Sequence, residues 1–175
     1  MTNSDNLETL ASTRFLDLVR RDGWTFCRRP NARAVVCVLA VTEKGLLLVE
    51  QYRIPIRKRL LELPAGLVGD GADREEPLEI AAGRELLEET GWRAESFQLL
   101  WQGPSSAGLS DEIITCFRAS GLHREGPGGG VEDEDITVHE VPLENLREWL
   151  SAQQLRGIGC DPKIFAALWS AQLPS

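Results

Sequence analysis

Strand-length runs of apolar residues, some alternating and some continuous, dominate this chain, and one acidic stretch of helical length interrupts them. From about Arg14 to Arg29 apolar and polar positions alternate around Asp22-Gly23, a dipeptide favoured in tight turns, which predicts a β-hairpin of two short strands. Arg33 to Thr42 is nearly continuously apolar and valine-rich, the pattern of a strand buried on both faces. After a turn at Glu43-Lys44-Gly45, Leu46 to Tyr52 predicts a strand leading into Arg53-Ile54-Pro55, and Leu60 to Leu63 a shorter one delivering a corner at Pro64-Ala65-Gly66. Ser96 to Gln102 and Glu112 to Ala119 predict two more, separated by a Gly/Ser-rich loop from Gly103 to Ser110, and Ile136 to Val141 another. Pro142 to Ala152 reads as a helix with proline at its start, and Asp161-Pro162 opens a terminal helix carrying Phe165, Leu168 and Trp169. Between the last two strands lies His123 to Asp135, a glycine-rich and acidic loop whose glycines predict mobility. No repeat or linker divides the chain, so a single α/β domain with a mixed sheet between helices is expected.

The acidic stretch ends at Gly91, where a glycine closes a helix in the left-handed conformation. Pro77 is tolerated only in a first turn, so the helix is predicted to begin at Glu76 or slightly earlier, at Asp73. At the helical angle Glu85, Glu88 and Glu89 share one arc and Ile80, Gly83 and Leu87 the opposite one, predicting a face that coordinates and a face that packs. Like charges four residues apart repel, and carboxylates near the negative end of a helix dipole are badly placed. A solvated face is the plain explanation of an acidic run; a cation held between the carboxylates explains its arrangement as well. Hard cations such as Mg²⁺ prefer carboxylate oxygen. Glu85 and Glu89 are therefore the candidate principal ligands, with Glu88 bridging or assisting the reaction. Arg84 stands four residues before Glu88, where it can pair with it and orient it.

The string Leu63-Pro64-Ala65-Gly66-Leu67-Val68, followed by Arg84-Glu85-Leu86-Leu87-Glu88-Glu89-Thr90-Gly91-Trp92, resembles the signature of the Nudix hydrolases, which cleave nucleoside diphosphates linked to another group. From Arg84 onward every position agrees. Upstream, four extra residues separate Gly66 from Arg84; if Glu76 is instead the first signature glutamate, Asp70 stands in the glycine slot. The resemblance implies an α/β/α sandwich over roughly Arg33 to Leu150. It divides the chain into a segment 1–32 with the hairpin and a Nudix domain 33–175 with the C-terminal helices. In the ADP-ribose pyrophosphatase branch such an N-terminal element pairs across a two-fold axis, so a homodimer is implied.

The same resemblance implies a Mg²⁺-dependent pyrophosphatase, with Mn²⁺ as the alternative metal, acting on ADP-ribose or a related nucleoside diphosphate sugar. It adds the backbone carbonyl of Ala65 to the metal ligands. Gly130 to Ile136 is similar to the loop that carries the general base in ADP-ribose pyrophosphatases, which points to Glu132 first and Glu134 second. Gln51-Tyr52-Arg53 and Leu61 to Leu67 are similar to segments that bring an arginine to phosphate and a glutamate to the site, so Arg53 and Glu62 are the substrate-binding candidates. Trp24, near the hairpin turn, either stacks on a purine or packs in the core or a dimer contact. Rival readings are a hydrolase of another nucleotide sugar such as GDP-mannose, or of dinucleotides such as NADH or diadenosine polyphosphates. A catalytically silent nucleotide-sensing module is the rival from another class.

Charge and cysteines change the picture little. A net charge of −8 argues against broad attraction to nucleic acid or anionic membrane, and an anionic substrate then needs a local cation. Cys27, Cys37, Cys116 and Cys160 show no paired spacing, which suggests free thiols, with Cys37 and Cys116 packed in strands as small apolar groups. His123 and His139 lack metal-ligand spacing and read as surface or strand residues. No apolar run reaches membrane-span length and Met1 to Leu10 is not signal-like, so a soluble, cytoplasmic protein is expected.

Overall fold

The computed structural model describes residues 6–71, 73–131 and 135–173. The predicted hairpin is there, as β2 (Asp17–Arg21) and β3 (Trp24–Arg28), but β1 (Glu8–Ser12) joins it to make a three-stranded antiparallel sheet. None of the β1 residues is buried, so no apolar alternation announced that strand. Two four-stranded sheets follow. Strands β4 (Ala34–Ala40), β7 (Ala65–Val68), β9 (Ser96–Pro104) and β10 (Ile113–Ser120) lie in the order β7-β4-β10-β9. Strands β5 (Leu46–Arg53), β6 (Lys58–Glu62), β12 (Thr137–Val141) and β13 (Gly159–Cys160) lie in the order β12-β5-β6-β13. The pairs β4-β10 and β6-β13 are parallel and the rest antiparallel. A two-residue ribbon joins β8 (Trp92–Arg93) to β11 (His123–Arg124). Helices α1 (Leu78–Thr90), α2 (Leu146–Leu155) and α3 (Pro162–Ser170) complete the chain, α2 being preceded by a short 3₁₀ turn at Leu143–Asn145.

Strand β4 shows why this is a layered sandwich. Its Cys37 and Leu39 point into a core shared with α2 and α3, while Val36, Val38 and Ala40 point into a second core under α1. Strand β5 divides in the same way, Leu46 and Leu48 one way and Leu47 the other. Both faces are buried, as the continuous apolar run requires. Cys37 and Cys116 sit opposite each other on β4 and β10, fully buried, and pack as predicted.

Four expectations are corrected. The corner at Pro64-Ala65-Gly66 runs into a strand, β7, because Ala65 to Val68 pair antiparallel with Ala34 to Cys37. Helix α1 starts later than predicted: Pro77 is its cap, extended at ψ 147°, and Asp73 to Glu76 form a turn before it. The packed face of α1 is not the arc of Ile80, Gly83 and Leu87. Ile80 is 61% exposed, and the buried residues are Ala81, Ala82, Leu86, Glu89 and Thr90. Small alanines face the sheet, and Glu85 and Glu89 of the acidic arc lie against β7 instead of solvent. Finally, the start of the His123–Asp135 loop is tied down. The N–H groups of Glu125 and Gly126 donate to the Gly91 carbonyl, and those of Gly129 and Gly130 to the carbonyls of Glu89 and Glu88, closing the end of α1. Gly128, at φ 71°, makes that approach feasible, since a Cβ there would lie 2.4 Å from the Thr90 carbonyl carbon.

Candidate active site

The acids of α1 are organised by Arg84. Its guanidinium reaches Glu76 at 3.0 and 3.2 Å, Glu85 at 2.7 Å, Glu88 at 3.3 Å and the Leu67 carbonyl at 3.1 Å. The expected pairing with Glu88 is present and is the longest of these contacts. The principal partner is Glu76, bound by both carboxylate oxygens across the turn that precedes the helix. Hydrogen bonds from Arg84 overcome burial and hold the Glu76 carboxyl below the usual carboxylate range. Glu76 was left undecided by the signature because the loop ahead of it is long. Its position eight residues before Arg84 was the available signal, but only the fold shows that a bent approach to the helix brings the two together.

Glu85 lies against β7. A Cβ on Gly66 would fall 1.9 Å from its carboxyl carbon, so the glycine is what permits the approach. Burial pushes the Glu85 carboxyl up to about 7; Arg84 opposes this, while Glu88 and Asp70 add repulsion. Glu89 is almost fully buried and accepts a hydrogen bond from the Ala65 N–H at 2.9 Å. Glu85 and Glu89 therefore meet β7 at Gly66 and Ala65, and Glu88 is linked to Glu85 through Arg84. Among the described residues no three acidic, cysteine or histidine side chains form a ready-made metal cage. Arg84 bonds to both Glu85 and Glu88. In kind the donor set fits a hard divalent cation: it is all oxygen, and a buried carboxylate at Glu85 is the group that such a charge relieves.

Arg53 and Glu62 also come together, Nε donating to Oε2 at 2.6 Å, with Glu62 6% exposed. Cross-strand register and alternation put both on the same face of the β5–β6 pair as Leu47, which packs in the core beneath α1. Trp24 is placed elsewhere, on the N-terminal sheet, 64% exposed, its indole N–H donating to the Gly108 carbonyl at 3.2 Å. It lines a groove of about 580 Å³ with Arg21, Phe26, Ala107 and Asp111. The loop around Gly108, given no role from sequence, docks on β3: Cys27 N–H donates to Leu109, Arg28 pairs with Asp111 and Arg29 with Glu112. Glu132 and Glu134 lie outside the described residues. Glycines 129 and 130 precede them on the end of α1, and Asp135 follows, paired with Arg59.

A sandwich with this strand order, its signature helix packed on β7, defines a class. A family profile described as NUDIX domain matches residues 30–167, and the chain belongs to the Nudix family. That family hydrolyses phosphoanhydride bonds and typically uses a divalent metal. The chain is 34% identical over 160 residues to a protein named ADP-ribose pyrophosphatase from Bacillus subtilis, covering 85% of this chain and 82% of that one. It is 31% identical over 166 residues to a GDP-mannose pyrophosphatase from Shigella flexneri, covering 87% and 84%. A third relative, named methanol dehydrogenase activator, from Bacillus methanolicus, is 34% identical over 129 residues, 73% of this chain and 66% of its own length. A crystal structure titled ADP compounds hydrolase superposes with a TM-score of 0.65 at 22% identity, covering 85% of this chain and 93% of that one, which shows a shared fold. No described helix is long and apolar enough to cross a membrane.

Proposed function

We propose that this protein is a Mg²⁺-dependent pyrophosphatase that splits the diphosphate of ADP-ribose, or of a related nucleoside diphosphate sugar, into a nucleoside monophosphate and a sugar phosphate. The observation that carries the reading is the approach of Glu85 to Gly66 and of Glu89 to the Ala65 N–H, with Glu88 linked to Glu85 through Arg84, while Arg53 held by Glu62 lies on the face of the β5–β6 pair that carries Leu47 into the core beneath α1. Glu85 and Glu89, with Glu88 assisting and the Ala65 carbonyl added, are the residues that would hold the ion. When bound, the ion neutralises phosphate oxygens and makes a water more acidic. Arg53 steadies the diphosphate through its guanidinium, and Glu62 fixes the direction of that guanidinium. Glu132, with Glu134 as second candidate, accepts the proton of the attacking water as its oxygen bonds to phosphorus and the bridging P–O bond breaks. Arg84 holds the helix acids in place from behind.

Trp24 offers an exposed indole face at a groove wide enough for a base, which supports stacking over core packing. Exposed Phe15, Leu16 and Leu18, in and beside the N-terminal sheet, support reading that sheet as a homodimer contact. The names of two relatives divide the substrate question between ADP-ribose and GDP-mannose. A hydrolysis panel of ADP-ribose, GDP-mannose, UDP-glucose, NADH and diadenosine polyphosphate with Mg²⁺, products separated by chromatography, decides it. AMP released from ADP-ribose and lost in Glu85→Gln supports the proposal; binding without turnover across the panel would favour a nucleotide-sensing module.

A further inference from the structure

The acidic stretch given the proton-accepting role is joined to the fold at two described places, and the second depends on a side chain outside the signature. Upstream, Gly129 and Gly130 donate to the last carbonyls of α1 at 2.8 and 3.0 Å. Downstream, Arg59 Nη1 donates to the Asp135 carboxylate at 2.8 Å and Nη2 to the Asp135 carbonyl at 3.5 Å. The other edge of the same guanidinium is occupied too: Nε donates to Glu50 Oε1 at 2.5 Å and Nη2 to the Glu50 carbonyl at 3.2 Å. Glu50 is 9% exposed, and its second oxygen pairs with His139 Nε2 at 2.9 Å. The His139 ring packs edge-on against Trp149, centroids 5.1 Å apart. Burial works to raise the Glu50 carboxyl, but hydrogen bonds from His139 and Arg59 outweigh it and hold the group below the usual range. An ionised, nearly buried carboxylate thus clamps the plane of Arg59, and the outward edge of that plane grips Asp135.

We propose that Arg59 is a positioning residue: clamped by Glu50 and His139, it fixes Asp135 and with it the downstream end of the acidic stretch relative to α1. The inference rests on the proposed role of that stretch. Stability alone does not explain the arrangement. The Asp135 side chain is 81% exposed, and ion pairs that exposed contribute little to folding. A planar fork engaged on both edges supplies orientation, which catalysis by a positioned carboxylate requires and stability does not.

The test uses Arg59→Met, Arg59→Lys, Asp135→Asn and the Arg59→Met/Asp135→Asn double variant in the full chain. Steady-state hydrolysis is read with amide hydrogen exchange of the peptide spanning residues 130–137. We expect Arg59→Met to lower kcat about tenfold or more with little change in KM, as misplacing a catalytic group does. Arg59→Lys should share the loss, because one ammonium cannot engage both acids as the fork does. Asp135→Asn should resemble Arg59→Met, the double variant should be no worse than either, and exchange of the peptide should quicken in all four. Multiplying losses, a wild-type-like Arg59→Lys, or unchanged exchange would overturn the proposal. Glu132→Gln and Glu134→Gln separate the two readings: if both turn over normally the proton-accepting role fails, while the exchange data still judge the tie.

Discussion

The three atoms that a methyl group on Gly66 would meet first all belong to the Glu85 carboxyl group: its carbon at 1.9 Å and its oxygens at 2.0 and 2.4 Å. Contacts below 3 Å do not persist, so one group must leave. It will be the carboxyl group, because it is the free end of a side chain while Gly66 is held in the β4–β7 ladder opposite Val36. Moving it breaks the 2.7 Å contact with Arg84, a partly exposed pair whose loss costs on the order of 1 kcal/mol. Some of that is recovered, since the carboxylate moves out of a buried position that raises its pKa to about 7. Gly66→Ala should therefore shift stability by no more than about 1 kcal/mol. If Glu85 holds the proposed ion, however, that ligand is lost, and turnover should fall about 100-fold or more. Thermal melting and a Mg²⁺ titration of hydrolysis read the two quantities on one preparation. Wild-type turnover at wild-type Mg²⁺ demand would refute the placement of Glu85 as a ligand; a large loss of stability would refute the argument that its side chain can swing away.

Three further outcomes follow from the same geometry. Because the folded Glu85 binds its proton up to about pH 7 and the unfolded group only to about 4.5, this residue makes the metal-free protein less stable as pH rises across that interval. Melting in chelator from pH 4.5 to 7.5 should show that decline relative to Glu85→Gln, and added Mg²⁺ should remove it; identical profiles for the two proteins would dismiss the buried carboxyl. Gly128→Ala should cost about 3 kcal/mol, since the new Cβ meets the backbone of Thr90 and φ is positive, whereas Gly126→Ala, with open space, should be nearly neutral in denaturant unfolding. Trp24→Ala should leave stability within about 1 kcal/mol and raise KM about tenfold for a purine nucleotide sugar; an unchanged KM would assign the indole to its contact with Gly108 alone.

How far the molecule was legible depended on whether a feature announces itself in side-chain pattern or only in backbone geometry. The strands β4, β5, β10 and β12 were visible because both or one of their faces are apolar at a fixed period. The short β8, β11 and β13, two residues each, carry no period at all, and β1 buries neither side. The acids of α1 were found from their spacing and from the signature, yet their surroundings were misjudged. A helical wheel assumes that the polar arc faces water. Here β7 covers part of that arc, with Glu89 buried against Ala65 and burial pushing the Glu85 carboxyl up to about 7. The glycines after His123 were read as freedom because composition cannot separate a glycine that bends from one that admits a neighbour. Gly128 is of the second kind, and it lets the chain close the carbonyl end of α1, where repulsion between acids and dipole would otherwise loosen the helix. The unfavourable placement of the carboxylates and the tight glycine segment are thus two parts of one solution: the N–H groups of Gly129 and Gly130 satisfy carbonyls at a helix end whose own acids are acceptors and cannot.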